Sequence, residues 1–234
     1  MLYDKKSINY GVVLDLPLYD ASLGSGGLVL DRSRHHYNGT LVGPPVWGPQ
    51  GYVFDGGDYI NIDTALTTLA ANTEGTLLVW AKLTDATPAA TSYLIAFGDT
   101  SDNEFLYLSC SIEGKLRAGI RVAGTNMWAI ETTNAVFADN TLALLGVVQD
   151  GTSPITYVNG VAVAQDFTVP TDKTVWFSGC AGLDNGRIGC YNINGGGNVG
   201  FLTGGVTEVR IYNRVLSAKE MWKVFEATRR RYGV

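Results

Sequence analysis

From Lys115 to Val122 the side chains alternate without a break. Leu116, Ala118, Ile120 and Val122 fall on one side, and Lys115, Arg117 and Arg121 on the other. A repeat of two places successive side chains on opposite faces of an extended strand, so this segment predicts a strand with one face buried. Val209 and Ile211 alternate with Glu208 and Arg210 in the same way. Further strands are expected at Val12–Leu16, Tyr52–Phe54, Tyr59–Ile62, Thr76–Leu83, Tyr93–Phe97, Phe105–Ile112, Met127–Thr132 and Leu142–Gln149. In Tyr157-Val158-Asn159-Gly160-Val161 an Asn-Gly pair stands between β-branched residues. Both residues of that pair tolerate positive φ, which predicts a two-residue hairpin. Glycine, 29 of 234 residues, recurs between the short runs. Many short strands with glycine-rich turns predict two packed antiparallel sheets, each burying one face.

One helix is expected, over residues 217–231. Ser217-Ala218-Lys219-Glu220 is a capping-box sequence, with Met221, Trp222, Val224 and Phe225 as its apolar stripe. Arg229, Arg230 and Arg231 then complement the negative end of the helix dipole. No Pro/Ser linker and no internal repeat divides the chain. The expected organisation is a single domain over residues 11–234 behind an N-terminal arm, residues 1–10. That arm carries apolar anchors for a partner at Leu2, Tyr3, Ile8 and Tyr10.

Composition narrows the function classes. Charged residues make up 17%, apolar residues 46%, and the formal net charge is −5. The three clustered arginines are too small a basic footprint for a nucleic-acid partner. No apolar run approaches a membrane span, and no basic-then-apolar leader opens the chain. Synthesis in the cytosol is expected, with a virion or an extracellular surface as the final location. Cys110, Cys180 and Cys190 lack metal-ligand spacing and are expected as small buried hydrophobes; a Cys180–Cys190 bridge would require an oxidising location.

Phe54-Asp55-Gly56-Gly57-Asp58-Tyr59-Ile60-Asn61-Ile62 resembles the opening strand pair of concanavalin A-like, LamG-like domains. Thr76 with Trp80, Gly114-Lys115-Leu116, Tyr157-Val158-Asn159-Gly160, and Glu208-Val209-Arg210-Ile211-Tyr212-Asn213-Arg214 with Leu216-Ser217 follow in the family's order. Asp31-Arg32-Ser33 and Asn38-Gly39-Thr40 are similar to its first motifs. The resemblance implies an all-β, antiparallel jelly-roll β-sandwich with a short C-terminal α-helix. Thr207 stands where the family often carries Asp, which weakens any calcium site built on that position.

Members of such a family bind sugars, bind proteins or cleave polysaccharides, so function must be read from the site. A retaining glycosidase needs two carboxylates about 5 Å apart. The resemblance implies Glu-x-Asp-x-x-Glu for such enzymes, and this sequence has no such segment. No catalytic residue is assigned. His35 and His36 are neighbours in a polar loop beside Arg34, and in a strand they would point to opposite faces, which suits chelation poorly. Asn194-Gly195-Gly196-Gly197-Asn198 lacks the Lys-Ser/Thr of a phosphate loop and is expected as a hairpin tip. Asp99, Asp102 and Glu104 lie in a turn-like segment.

Candidate ligand-binding residues are Asn126, Trp128, Asp99, Asp102, Asn194 and Asn198, with Trp128 offered either as a sugar-stacking platform or as core. Trp80 is expected in the core. No cofactor is required; Asp31, with help from Asp58, is the candidate calcium site, the alternative being that Asp31 organises its turn. Two function classes follow. One is a non-catalytic structural or decoration component of an assembly such as a phage virion or fibre, with other subunits as partners. The other is a lectin-like module with surface glycans as partners. A polysaccharide-active enzyme stands third.

Overall fold

A computed structural model describes residues 8–20, 27–43, 45–48, 50–101 and 103–234. In chain order its strands are β1 (Val12–Leu16), β2 (Leu28–Val29), β3 (Gly39–Val42), β4 (Val46–Gly48), β5 (Gly51–Asp55), β6 (Tyr59–Asn61), β7 (Gly75–Leu83), β8 (Ser92–Gly98), β9 (Phe105–Cys110), β10 (Leu116–Val122), β11 (Thr125–Thr132) and β12 (Ala143–Gln149). They continue with β13 (Pro154–Val158), β14 (Val161–Ala162), β15 (Gln165–Val169), β16 (Asn185–Ile188), β17 (Tyr191–Asn192), β18 (Asn198–Val199) and β19 (Thr203–Tyr212). A single turn of helix, α1 (Leu66–Leu69), follows β6, and α2 (Ala218–Tyr232) closes the chain.

Two antiparallel sheets form the sandwich. One runs β14-β13-β12-β7-β19-β5-β4, with β1 also paired to β19; the other runs β15-β11-β10-β9-β8-β16-β6-β3-β2. Their facing sides share one core, which includes Leu77, Val79, Leu106, Leu108, Ala118, Ile120, Ile130, Val209 and Ile211. Sequence order and strand placement are those of an antiparallel jelly-roll β-sandwich.

The sheets differ in what covers their outer faces. The outer face of the first carries a second core, where Leu78, Trp80, Leu144, Val148 and Tyr212 meet Met221, Val224 and Tyr232 of α2. Being covered on both faces, β7 and β12 read as continuous apolar runs, not alternating ones. In the second sheet β10 keeps its alternation, burying Leu116, Ala118 and Ile120 and leaving Arg117 and Arg121 half-exposed. Among the described residues no helix packs on that outer face.

The closing helix starts as expected and faces a different way. Ser217 Oγ accepts from the Glu220 backbone N–H, and the Glu220 carboxylate accepts from the Ser217 N–H. The buried stripe is Met221, Val224, Thr228 and Tyr232, spaced by three and four. Trp222, placed in the stripe by the sequence reading, is instead 46% exposed, because it lies about 100° round the helix from Met221. Phe225 packs from the side of the stripe. Trp80 is core as expected, and its indole N–H donates to Thr228 Oγ1 at 2.9 Å. The Asn159-Gly160 hairpin forms with φ of 50° and 78°, and a Cβ on Gly160 would meet Phe225 Cβ at 2.8 Å. Glycine there serves both the turn and the helix seat.

Glu208 and Arg210 also depart from a half-solvated strand. Both lie beneath the end of α2, ion-paired to each other, with Arg210 also 3.3 Å from Asp15. Tyr232 donates its hydroxyl to Glu208. Burial works to lower the Arg210 pKa, but the two carboxylates outweigh it and raise it, holding the guanidinium charged. A buried ionic set of this kind survives only when each charge has a partner. Where the family often has Asp, Thr207 is buried and donates to the Gln50 carbonyl at 2.6 Å.

Of the expected partner arm, Leu2 and Tyr3 lie outside the described residues. Ile8 packs beside the second core, and the Tyr10 carbonyl accepts from Arg214 Nε at 2.8 Å with the guanidinium over its ring. Ile8 and Tyr10 are therefore bound to their own domain, contrary to the arm reading, because the start of β1 pairs with the end of β19.

Candidate functional site

The site is built by three strands whose outward-facing residues fall into cross-strand rows. Tyr107 of β9 pairs with Gly119 of β10, which pairs with Ala129 of β11. Phe105 pairs with Arg121, and Arg121 with Asn126 across a bulge; Ser109 pairs with Arg117, and Arg117 with Glu131. The face thus offers aromatic side chains on β9 and guanidinium groups on β10, separated by glycine.

Gly119 sets the floor. A Cβ there would lie 2.7 Å from the Tyr107 hydroxyl oxygen and 2.8 Å from Cζ, so the absence of a side chain lets the phenol ring lie across β10. Tyr107 stacks on Phe105 at 4.9 Å and meets Tyr93 edge-on at 5.5 Å. Tyr191 closes the cluster, 4.4 Å from Tyr93 and 4.9 Å from Phe105. Burial raises the Tyr93 and Tyr107 pKa values, opposed by Arg117 and Arg121. Both phenols are therefore neutral and able to donate and accept.

Tyr93, Phe105, Tyr107, Tyr191, Arg117 and Arg121, with Thr168, Val169 and Ile193, line a groove of about 300 Å³. Arg121 is oriented by two amides: its Nε donates to Asn126 Oδ1 at 2.8 Å and its Nη1 to Asn103 Oδ1 at 2.9 Å. Arg117 stands 3.6 Å from Glu131, which also pairs with Lys115 at 3.2 Å.

One wall is the β17–β18 hairpin. Its Asn194 N–H donates to the Asp99 carbonyl at 2.9 Å, and the Tyr93 N–H donates to the Gly200 carbonyl at 3.0 Å. Asn185 Nδ2 donates to the Asn192 carbonyl at 3.1 Å. These bonds hold Tyr191 and Ile193 against β8.

The expected ligand residues sort differently from the sequence reading. Asn126 does stand at the groove, as the partner of Arg121. Trp128 is no platform: it is 1% exposed, and its indole N–H donates to the Val175 carbonyl at 2.9 Å. It occupies the inward parity of β11 with Ile130, while Ala129 and Glu131 face out. Asp99 is buried and accepts from the Ser101 backbone N–H and hydroxyl at 2.7 and 2.8 Å, which makes it a turn organiser. Asp102 lies outside the described residues. Asn194 sits at the wall hairpin's tip with φ of 50°. Asn198 accepts from Arg187 Nε at 3.4 Å, away from the groove lining. Phe105, Tyr107, Arg117 and Arg121 line the groove and were not singled out in the sequence, although parity marks them: aromatic and basic residues alternate with the apolar ones on two neighbouring strands.

The calcium reading also changes. The Asp31 carboxylate is buried and accepts from the Asp15, Ser33 and Tyr37 backbone N–H groups at 2.8 Å each and from Ser33 Oγ at 2.6 Å. Its own N–H donates to Asn38 Oδ1 at 3.0 Å. Those donors occupy the lone pairs a cation would need, so Asp31 organises its turn. Asp58 accepts from the Asp55 N–H at 3.3 Å, and burial raises its pKa. Among the described residues no three His, Cys, Asp or Glu side chains gather as a metal site. His35 stacks on Tyr37 at 5.2 Å in a loop. All three cysteines are buried and free, including Cys180 and Cys190.

Solved structures share this fold. The Ruminococcus gnavus IT-sialidase CBM40 bound to α2,3-sialyllactose matches with a TM-score of 0.64 at 18% identity, over 75% of this chain and 96% of that one. The NanB sialidase of Streptococcus pneumoniae matches with a TM-score of 0.61 at 20% identity, over 73% of this chain and 27% of that one. The Trypanosoma rangeli sialidase in complex with sialic acid gives 0.65 at 18% identity, over 94% of this chain and 33% of that one. No curated protein sequence matches the chain. A family model described as the concanavalin A-like lectin/glucanases superfamily matches residues 54–221, most of the chain. The protein therefore belongs to the concanavalin A-like lectin/glucanase superfamily.

Proposed function

We propose that this protein is a carbohydrate-binding module and that its ligand lies in the groove over β9 and β10. The observation that carries the reading is the tyrosine floor over Gly119, flanked by Arg117 and Arg121. A sugar presents apolar C–H faces and a rim of hydroxyls. The groove offers flat aromatic surface for the first and a few fixed polar groups for the second, the usual composition of a small-molecule site. The fold likeness to a CBM40 bound to sialyllactose is consistent with this assignment. Assembly into a virion draws less support, since Ile8 and Tyr10 are engaged within the domain.

Binding without hydrolysis is part of the proposal. No carboxylic side chain lines the groove among the described residues, and Glu131 beside it is paired with two cations. Glycan-array screening followed by titration calorimetry tests the reading, with Tyr107→Ala as the control. Binding that Tyr107→Ala abolishes supports the groove, whereas binding that survives it unchanged places the ligand elsewhere. Incubation with laminarin, agarose, carrageenan or xylan is expected to release no new reducing ends.

A further inference from the structure

We infer that the groove selects sugars carrying an anionic group, a carboxylate or a sulfate ester, and that Arg121 is its principal recognition residue. This deepens the carbohydrate-binding reading and rests on it.

The argument begins with charge. The whole chain carries −5, which disfavours anions in general, yet the groove concentrates guanidinium groups. The two arginines are not equivalent. Arg117 shares the carboxylate of Glu131 with Lys115, so its charge is partly compensated. Among the described residues Arg121 bonds to two neutral amides, Asn103 and Asn126. Those amides accept from Nε and Nη1 and thereby fix the guanidinium plane without neutralising it. A guanidinium has five N–H donors; two are used among the described residues, leaving three to meet a ligand oxygen. A planar donor fork held in one orientation is what a carboxylate or sulfate needs for bidentate recognition.

Position supports the same conclusion. Arg117 and Arg121 lie four residues apart on one strand, so their Cα atoms are about 13 Å apart at the usual strand rise. Gly119 and the Tyr107 hydroxyl fall between them. A sugar ring resting on Tyr107 reaches Arg121 with a substituent at one end and Arg117 at the other. Burial beside the aromatic cluster lowers the local polarity, which strengthens a charged contact relative to one in open water. A neutral sugar of the same size would desolvate the guanidinium without returning a counter-charge.

The test compares lactose, sialyllactose and sulfated lactose by calorimetry on the full chain, alongside an array with neutral, uronate-, sialate- and sulfate-bearing sets. Arg121→Gln, Arg121→Lys and Arg117→Gln are measured with melting curves to confirm folding. Binding confined to anionic sets, weakened at least tenfold by Arg121→Gln, less by Arg117→Gln, and reduced by salt, is the expected result. Arg121→Lys keeps the charge and loses the fork, so an intermediate loss is expected. The carboxylate and sulfate arms decide which anion is preferred. Equal binding of neutral glycans, unchanged in Arg121→Gln but lost in Tyr107→Ala, overturns the charge selection and leaves the groove reading standing. A folded protein that binds no set on the array overturns both.

Discussion

The hydroxyl end of Tyr107 lies over Gly119, so close that a methyl group at that position would sit 2.7 Å from the phenol oxygen. This single packing choice turns an alternating strand into the floor of a groove. The Tyr107 ring also packs on Phe105 and Tyr93, so displacing it disturbs those contacts. Gly119→Ala is expected to weaken glycan binding at least fivefold while shifting the melting temperature by only a few degrees. Calorimetry and a melting curve on the same sample check this. Full retention of affinity would show that the floor is not part of the site.

The closing helix gives a contrast between neighbours. Met221 is fully buried and Trp222 is not. Met221→Ala should cost about 2–5 kcal/mol, as large-to-small core changes do. Trp222→Ala should stay within about 0.5 kcal/mol despite removing the larger side chain. Truncation after Leu216 strips the cover from Trp80 and Tyr212 and should destabilise the domain strongly. Urea unfolding of the three variants provides the comparison.

Asp31 separates a turn organiser from a metal ligand. Its carboxylate satisfies three backbone N–H groups and one hydroxyl. Asp31→Ala is expected to lower stability by about 2–4 kcal/mol, since buried donors lose their acceptor. The melting temperature of the parent should be the same with and without EDTA. A chelator-dependent drop that vanishes in Asp31→Ala would restore the calcium assignment.

Thiol chemistry follows from burial. Burial pushes the Cys110, Cys180 and Cys190 thiols up to about 12. Their thiolate fraction at pH 8 is then about one in ten thousand, and the thiolate is the reactive form. Native protein should be inert to Ellman's reagent between pH 7 and 8, and three thiols should titrate in denaturant. Reactivity should climb only as the pH rises towards those shifted values. Recovery of fewer than three thiols from freshly denatured protein would reveal a disulfide.

Local rules in the sequence determined a great deal of this protein. The period of two in Leu116–Val122, the Asn159-Gly160 turn and the Ser217–Glu220 box each specify backbone geometry within a few residues, and each is present in the fold. These signals depend on neighbours in the chain, so composition and spacing carry them. The tertiary structure decided which outer face is covered and which is left open. Glu208 and Arg210 alternate with apolar residues just as Arg117 and Arg121 do, yet α2 covers the first pair and nothing among the described residues covers the second. Trp128 and Tyr107 likewise both lie on strands, but parity across β9, β10 and β11 sends one into the core and the other onto the surface. Whether an outward side chain stays open or is covered depends on long-range strand pairing and on where the closing helix docks, and no local pattern of residues encodes either.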